Sequence, residues 1–257
     1  MSTLGRNTAV MAAGTALSRL TGFGRLVALA YGLGFTRLTD TYALANITPN
    51  IIYELVLGGV LSATLVPLFV ERLAGVGPGG ASSHPGDAGD PGDAARAEAD
   101  REAWHAVSAV MTVVAAVAAA VTVAFVLVAP LIIRLYTVAN DTGSAAEQQR
   151  VATLLLRMFA PQVAFYAMVS LATAVLNARR RFAAPMFAPV LNNLIVIAVL
   201  LVLPHVAENL SLSAVADDPA ALALLGFGTT AGVAAMALAQ LPSLRRAGAR
   251  LRPVWDP

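Results

Sequence analysis

Residues 107–133 have the sequence VSAVMTVVAAVAAAVTVAFVLVAPLII, 27 consecutive positions without a charged side chain. A transmembrane α-helix needs about 20 consecutive, predominantly apolar residues, so this stretch alone is long enough to cross a bilayer. Arg134 follows it directly and marks where the apolar stretch ends. The whole chain has the same character, with 58% hydrophobic residues, 12% charged residues and a mean hydropathy of +0.72. The fold class that these numbers predict is an all-α polytopic membrane protein.

Five further apolar runs, each bounded by charges or helix breakers, bring the predicted number of membrane spans to six. The spans cover residues 8–34, 41–70, 107–133, 151–177, 184–204 and 220–242. Glycines within the first span, such as Gly22 and Gly24, predict that it is bent or interrupted. The chain therefore divides into residues 1–73 with two spans, a mobile cytoplasmic loop at 74–106, residues 107–243 with four spans, and a basic tail at 244–257.

The 74–103 segment is rich in Gly, Ala, Pro and Asp, and has too little apolar surface to fold alone. Its later part, residues 94–103, is compatible with a short helix that leads into the third span. The simplest interpretation of the segment is a solvated spacer, and the alternative is a regulatory docking segment.

The distribution of arginines between the loops predicts the orientation in the membrane. With six spans, one side carries eleven arginines and the other side carries three. The first group is Arg6, Arg72, Arg96, Arg101, Arg179, Arg180, Arg181, Arg245, Arg246, Arg250 and Arg252, and the second is Arg37, Arg134 and Arg150. Because loops rich in basic residues stay in the cytoplasm, we expect a multi-pass plasma-membrane protein with both termini cytoplasmic.

Several functional classes are excluded by composition. All 17 basic residues are arginines, so a P-loop or a Schiff-base lysine is absent, and the lack of cysteine excludes thiolate catalysis. The three histidines are far apart, without a metal-binding spacing. We therefore expect no catalytic residues, no metal, no cofactor and no enzymatic activity. A net charge of +2 without a basic stripe on a soluble domain argues against a nucleic-acid partner.

Two arginines, Arg19 and Arg25, lie within the first predicted span. A guanidinium at the bilayer centre costs about 2.5–3.5 kcal/mol on insertion scales, so the pair needs a watery cavity, a counter-charge or an anionic ligand. The nearest acidic candidates for charge pairing or gating are Asp40, directly before the second span, and Glu54, within it. In the alternative interpretation Arg19 pairs with a carbonyl group or an acid, and Arg25 snorkels to the interface.

The first seventy residues resemble the N-terminal region of the MurJ/MviN family, the lipid II flippases of peptidoglycan biosynthesis. This family belongs to the multidrug/oligosaccharidyl-lipid/polysaccharide exporter superfamily. The matching motifs are Ser18-Arg-Leu-Thr-Gly-Phe-Gly-Arg25, Leu38-Thr-Asp40, Pro49-Asn50, Leu61-Ser62 and Val66-Pro67, followed by Ala160-Pro161, Leu176-Asn177, Arg181-Phe182, Ala188-Pro189 and Gln240-Leu-Pro242. The all-arginine, alanine-rich composition is similar to that of divergent family members from high-GC Gram-positive bacteria.

The resemblance implies one six-helix lobe of a two-lobed flippase that moves a polyprenyl-diphosphate-linked disaccharide-peptide, lipid II, by alternating access. It implies a cationic cavity in which Arg19 and Arg25, with Ser18 and Asn50, contact the substrate, while Asp40 pairs charges or gates. Family members commonly carry two basic residues where this chain has Tyr53 and Glu54. The resemblance therefore implies a cavity with fewer cations in this lobe.

Other interpretations of the sequence stay open. The chain looks like a fragment or a half-length relative that lacks its C-terminal lobe, and alternating access requires both lobes. One alternative is another polysaccharide-lipid or drug exporter of the superfamily. Another is a non-transporting membrane scaffold or regulatory lobe.

Overall fold

The computed structural model describes residues 3–55, 91–137 and 145–249 of the chain, and all regular secondary structure in these ranges is helical. The predicted all-α fold class is therefore confirmed for this part of the chain. Its helices are α1 (Thr3–Gly32), α2 (Arg37–Tyr53), α3 (Pro91–Thr137), α4 (Ala145–Phe159), α5 (Gln162–Ala178), α6 (Ala183–Val206), α7 (Leu212–Asp217), α8 (Pro219–Leu238) and α9 (Leu241–Arg246).

Four helical segments within the described ranges are long and apolar enough to cross a membrane, and they coincide with the predicted spans three to six. They are Arg101–Thr137, Ala146–Ala178, Ala183–Val206 and Pro219–Arg246. Helix α1 is not among them, because its arginines and glycines lower its hydropathy. The second predicted span, 41–70, lies partly outside the described residues. The chain is a polytopic helical membrane protein, and the total of six spans stays a prediction.

The predicted interruption of the first span is wrong, because α1 is continuous from Thr3 to Gly32. Two of its glycines lie where the backbone of α6 comes closest. A Cβ atom on Gly14 would lie 2.7 Å from the Cβ of Met186, and one on Gly32 would overlap the carbonyl group of Leu200. Small residues let two helix backbones approach closely, so close packing accounts for these two positions, and a bend of α1 stays a prediction.

Helix α6 makes a second close contact, with α8. A Cβ atom on Gly228 would lie 2.7 Å from Val199 Cγ2, and one on Gly232 would lie 2.6 Å from Asn192 Oδ1. The sequence Gly228-x-x-x-Gly232 is therefore a helix-packing motif, as its spacing predicts. Helix α6 lies between α1 and α8 and contacts both through glycine.

Two predicted boundaries differ from the structure. The helix expected at residues 94–103 is confirmed, but it continues into the third span without a break, as the first part of α3. Residues 74–90 of the predicted loop lie outside the described residues. The fourth predicted span, 151–177, is divided into α4 and α5 by a turn at Ala160 and Pro161. Pro161 has no backbone N–H and so cannot continue the hydrogen-bond ladder of α4.

The main hydrophobic core forms around α2 and α4. Leu38, Tyr42 and Ala45 of α2 are buried, together with Leu156 and Phe159 of α4. Several polar side chains of α5 and α8 are also buried in the bundle, which is where the candidate site forms.

Candidate functional site: an arginine held inside the helical bundle

Arg25 is a half-buried cation on α1 that faces other helices of the bundle. Its guanidinium lies within hydrogen-bonding reach of the Tyr42 hydroxyl on α2, and it interacts electrostatically with the Tyr166 hydroxyl on α5. No carboxylate of the described residues forms a salt bridge with it. Among the described residues, neutral hydroxyl groups therefore contact this arginine, and no carboxylate compensates its positive charge.

Tyr42 connects Arg25 to α8 through a hydrogen-bond chain with a defined direction. The Tyr42 Oη and Thr229 Oγ1 atoms are 3.1 Å apart, and Thr229 Oγ1 donates its one proton to the carbonyl of Leu225 at 2.7 Å. Thr229 must therefore accept a hydrogen bond from Tyr42, and the Tyr42 oxygen is free to accept from Arg25, which can only donate. The direction of donation is from Arg25 to Tyr42, then to Thr229 and Leu225.

Packing fixes the Tyr42 ring in this position. The side chain is only 2% exposed, and its ring meets that of Phe159 edge to face, with centroids 5.8 Å apart and planes at 84°. Such aromatic pairs contribute about 0.5–1.5 kcal/mol beyond the burial of area. The acceptor for Arg25 is thus part of the rigid core.

A second aromatic pair extends the site along α2. The rings of Tyr53 and Tyr166 have centroids 5.9 Å apart and planes at 38°. Tyr42 and Tyr53 are eleven residues apart, so they lie on nearly the same face of α2, about three turns from each other. Just beyond, Asn50 Nδ2 donates to Glu54 Oε1 at 3.2 Å.

Arg19 and Ser18 have surroundings different from those of Arg25. The Arg19 side chain is exposed, and because α1 is continuous, six residues place the two arginines about 120° apart around the helix. Ser18 is half-buried, and its carbonyl group accepts a hydrogen bond of 3.3 Å from Asn193 Nδ2 on α6. The same nitrogen donates to Thr21 Oγ1 at 3.2 Å. Asn193 therefore makes the interhelical bonds that anchor α1 one turn before Arg25.

The two acidic candidates lie at the surface of the described structure. Asp40 is exposed in the first turn of α2, and Glu54 is exposed just after that helix ends. Within the described ranges neither forms a salt bridge to Arg19 or Arg25. Their charge-pairing or gating role stays a prediction, as do the substrate contacts of Ser18, Arg19, Arg25 and Asn50.

The sequence did not point to Tyr42, Tyr166 or Thr229 as site residues. Each comes from a different helix, and no local spacing relates them. The available signal was weak: each is a side chain with a hydroxyl group inside a predicted apolar span. Such groups usually find a hydrogen-bond partner when buried.

These features define a class of protein: a polytopic helical membrane protein with an arginine inside its bundle that no carboxylate of residues 3–55, 91–137 or 145–249 pairs with. The family model described as lipid II flippase MurJ matches residues 29–257. The chain belongs to this family, which the resemblance of its motifs had indicated.

Individual relatives agree with this assignment. The chain is 29% identical over 192 residues to the lipid II flippase MurJ of Burkholderia cenocepacia, a match that covers 74% of this chain and 33% of that protein. It is 27% identical to a probable lipid II flippase MurJ of Haemophilus influenzae, a match that covers 94% of this chain and 42% of that protein. It is 28% identical to a probable lipid II flippase MurJ of Vibrio cholerae, over 96% of this chain and 42% of that protein. The chain thus spans less than half the length of these relatives.

Proposed function

We infer that this chain is the N-terminal lobe of a transporter that moves lipid II from the inner to the outer leaflet of the plasma membrane. The observation that carries this proposal is Arg25, a half-buried cation that interacts with two hydroxyl groups and with no carboxylate in the described part of the chain. An ionisable residue at membrane depth is retained when it has a functional partner. The partner we propose is the diphosphate of the lipid.

The chemistry of the guanidinium group supports this partner. Arginine presents five N–H donors in a planar fork, stays protonated, and binds phosphate oxygens in bidentate fashion. The Tyr42 oxygen can accept from part of this fork, which leaves the other donors for the substrate. Arg19, Ser18 and Asn50 complete the proposed substrate contacts, with Asp40 and Glu54 pairing charges or gating. No bond of the substrate is broken.

Transport by alternating access needs a second lobe that rocks against this one. Family relatives are more than twice as long as this chain, which agrees with a further lobe in the complete protein. We propose that the diphosphate-sugar head crosses between the lobes while the polyprenyl tail stays in the bilayer. Both termini of this lobe are proposed to be cytoplasmic, from the distribution of arginines.

The test is the replacement of Arg25 and of Arg19 by alanine in the complete gene, in cells depleted of their own flippase. We expect cells that depend on either variant to stop growing and to have less lipid II in the outer leaflet. The matched control is Arg101→Ala, since Arg101 is exposed and pairs with Glu98 at 2.9 Å on α3. Growth and lipid II at the wild-type level in both Arg19→Ala and Arg25→Ala would overturn the proposal.

A further inference from the structure

A second cluster of arginines lines a cleft between the end of α3 and α4. The cleft has a volume of about 290 Å³, and its polar lining is formed by Arg134, Gln149, Arg150, Thr153 and Arg157. No carboxylate of the described residues lines it. None of these residues belongs to the Arg25 site, so the cleft is a separate concentration of positive charge.

Helical spacing aligns the arginines along the cleft. Arg150 and Arg157 are seven residues apart on α4, which places them on the same face, two turns and about 10.5 Å from each other. Arg134 comes from the last turn of α3, directly after the 27 uncharged residues of the third span. All three side chains are exposed. They therefore lie where an apolar span meets its polar end.

A buried hydrogen-bond chain fixes the two helices that carry these arginines. Gln149 Nε2 donates to Thr137 Oγ1 at 2.8 Å, and Thr137 Oγ1 donates to the carbonyl of Ile133 at 2.8 Å. Gln149 immediately precedes Arg150, and Ile133 immediately precedes Arg134. The backbone positions of Arg134 and Arg150 are therefore fixed relative to each other before any ligand binds.

Most of the positive charge in the cleft is uncompensated. Arg150 Nη1 lies 3.5 Å from Asp217 Oδ1, with side chains that are 63% and 72% exposed, so water screens this pair. Within the described ranges, no carboxylate lies within salt-bridge distance of Arg134 or Arg157. Glu147, one turn before Arg150, is a further acid in the first turn of α4. An anionic ligand would meet two guanidinium groups, those of Arg134 and Arg157, that no described carboxylate pairs with.

An apolar stripe on α3 continues from this cleft toward the middle of the span. Leu127 and Arg134 are seven residues apart and share one face of the helix. Val123, Leu127 and Leu131 follow the same face at intervals of four residues and are 61%, 72% and 56% exposed. A cationic cleft directly above an exposed apolar stripe matches a ligand with a phosphate group and acyl chains.

We propose that the cleft binds the phosphate headgroup of an anionic phospholipid, with an acyl chain along Val123, Leu127 and Leu131. Basic pockets between membrane helices recognise such headgroups through arginine–phosphate contacts. Free phosphate would use the arginines but not the apolar stripe. The site is independent of the proposed transport, because it shares no residue with the Arg25 site.

The test uses the complete protein in nanodiscs of phosphatidylglycerol or phosphatidylcholine and measures the lipid retained after exchange into detergent. We expect phosphatidylglycerol to be retained in preference, and Arg134→Gln/Arg157→Gln to reduce its retention by about tenfold or more. Arg101→Gln, at the other end of α3, and Arg25→Ala should leave retention unchanged. The double variant Arg134→Lys/Arg157→Lys keeps both positive charges, so it should retain more phosphatidylglycerol than the glutamine variant and less than the unaltered protein.

A measurement on the unaltered protein keeps the proposal testable if the glutamine variant is unstable. A photoreactive phosphatidylglycerol with its reactive group in the acyl chain should label the peptide that contains residues 123–131 of α3. Equal retention of the two lipids, labelling elsewhere, or complete displacement by inorganic phosphate would overturn the proposal.

Discussion

The hydroxyl groups of Tyr42 on α2 and Thr229 on α8 lie 3.1 Å apart and join the two helices, although the two residues are 187 positions apart in the chain. Because Thr229 already donates to Leu225, Tyr42 is the donor in this pair, and its oxygen is left to accept from Arg25. The orientation of the arginine is thus determined by a threonine on a different helix.

Replacement of Tyr42 by phenylalanine should impair transport while preserving the ring contact with Phe159. The change removes the acceptor for Arg25 and leaves the guanidinium without its orienting bond. We expect a loss of about 1–3 kcal/mol in the free energy of unfolding, the usual cost of an unsatisfied buried group. Complementation and thermal unfolding in detergent measure the two effects.

The control for this prediction is Thr229→Val, which leaves the Tyr42 oxygen in place as an acceptor. We expect Thr229→Val to retain more activity than Tyr42→Phe at comparable stability. Equal activity of the two variants would contradict the proposed direction of the hydrogen-bond chain.

Replacement of Arg25 by lysine should lower transport about tenfold or more, although the charge is kept. An ammonium group cannot bind the Tyr42 oxygen and two phosphate oxygens in one plane, as the guanidinium fork can. The measurement is the rate of appearance of outer-leaflet lipid II. The control is Arg157→Lys, which lies outside this site and should leave that rate unchanged. A fully active Arg25→Lys protein would contradict the prediction, because it would mean that the positive charge alone suffices.

The glycines of α1 should differ sharply in their tolerance of alanine. Gly32→Ala would place a Cβ atom against the backbone carbonyl of Leu200, so we expect a destabilisation of about 1–3 kcal/mol. A Cβ on Gly24 would lie 3.5 Å from Ile197 Cδ1, which is ordinary contact. Gly24→Ala should therefore be neutral, or stabilising by about 0.5–1 kcal/mol from helix propensity. Thermal unfolding of the two variants compares them directly, and equal midpoints would contradict the packing described for Gly32.

The adjacent asparagines of α6 should also behave differently. Asn193→Ala removes two hydrogen bonds to α1 and should cost about 0.6–1.7 kcal/mol, the range for such bonds in membranes. Asn192 Oδ1 is buried without a hydrogen-bond partner in the described part of the chain. Asn192→Ala should thus cost less than Asn193→Ala, and the reverse order in unfolding experiments would contradict this assignment.

The sequence predicts most of the helices because their signal is local. Residues 107–133 and 184–204 are long apolar runs, and the structure places α3 and α6 over them. The motif at Gly228 and Gly232 also identifies a close helix contact. These features depend on residues within a few turns of each other.

The remaining features depend on which helices become neighbours. Glycines in α1 predict a bend or a close contact equally well, and only the position of α6 decides between them. The hydroxyl partners of Arg25 come from α2 and α5, and the partner of Tyr42 comes from α8, which no spacing in the sequence brings together. Pro161 alone does not predict its turn, because Pro49, Pro130 and Pro189 lie inside helices that continue past them.

The glycine contacts of α6 restrict how the lobe can move. With bare backbone against α1 at Gly14 and Gly32, and against α8 at Gly228 and Gly232, the three helices interlock so closely that none can slide by a fraction of a turn without steric overlap. These contacts favour movement of the three helices as one unit that carries Arg25 and Thr229 together. The turn at Ala160 and Pro161 interrupts the helical hydrogen-bond ladder, so flexing meets less resistance there than within a continuous helix.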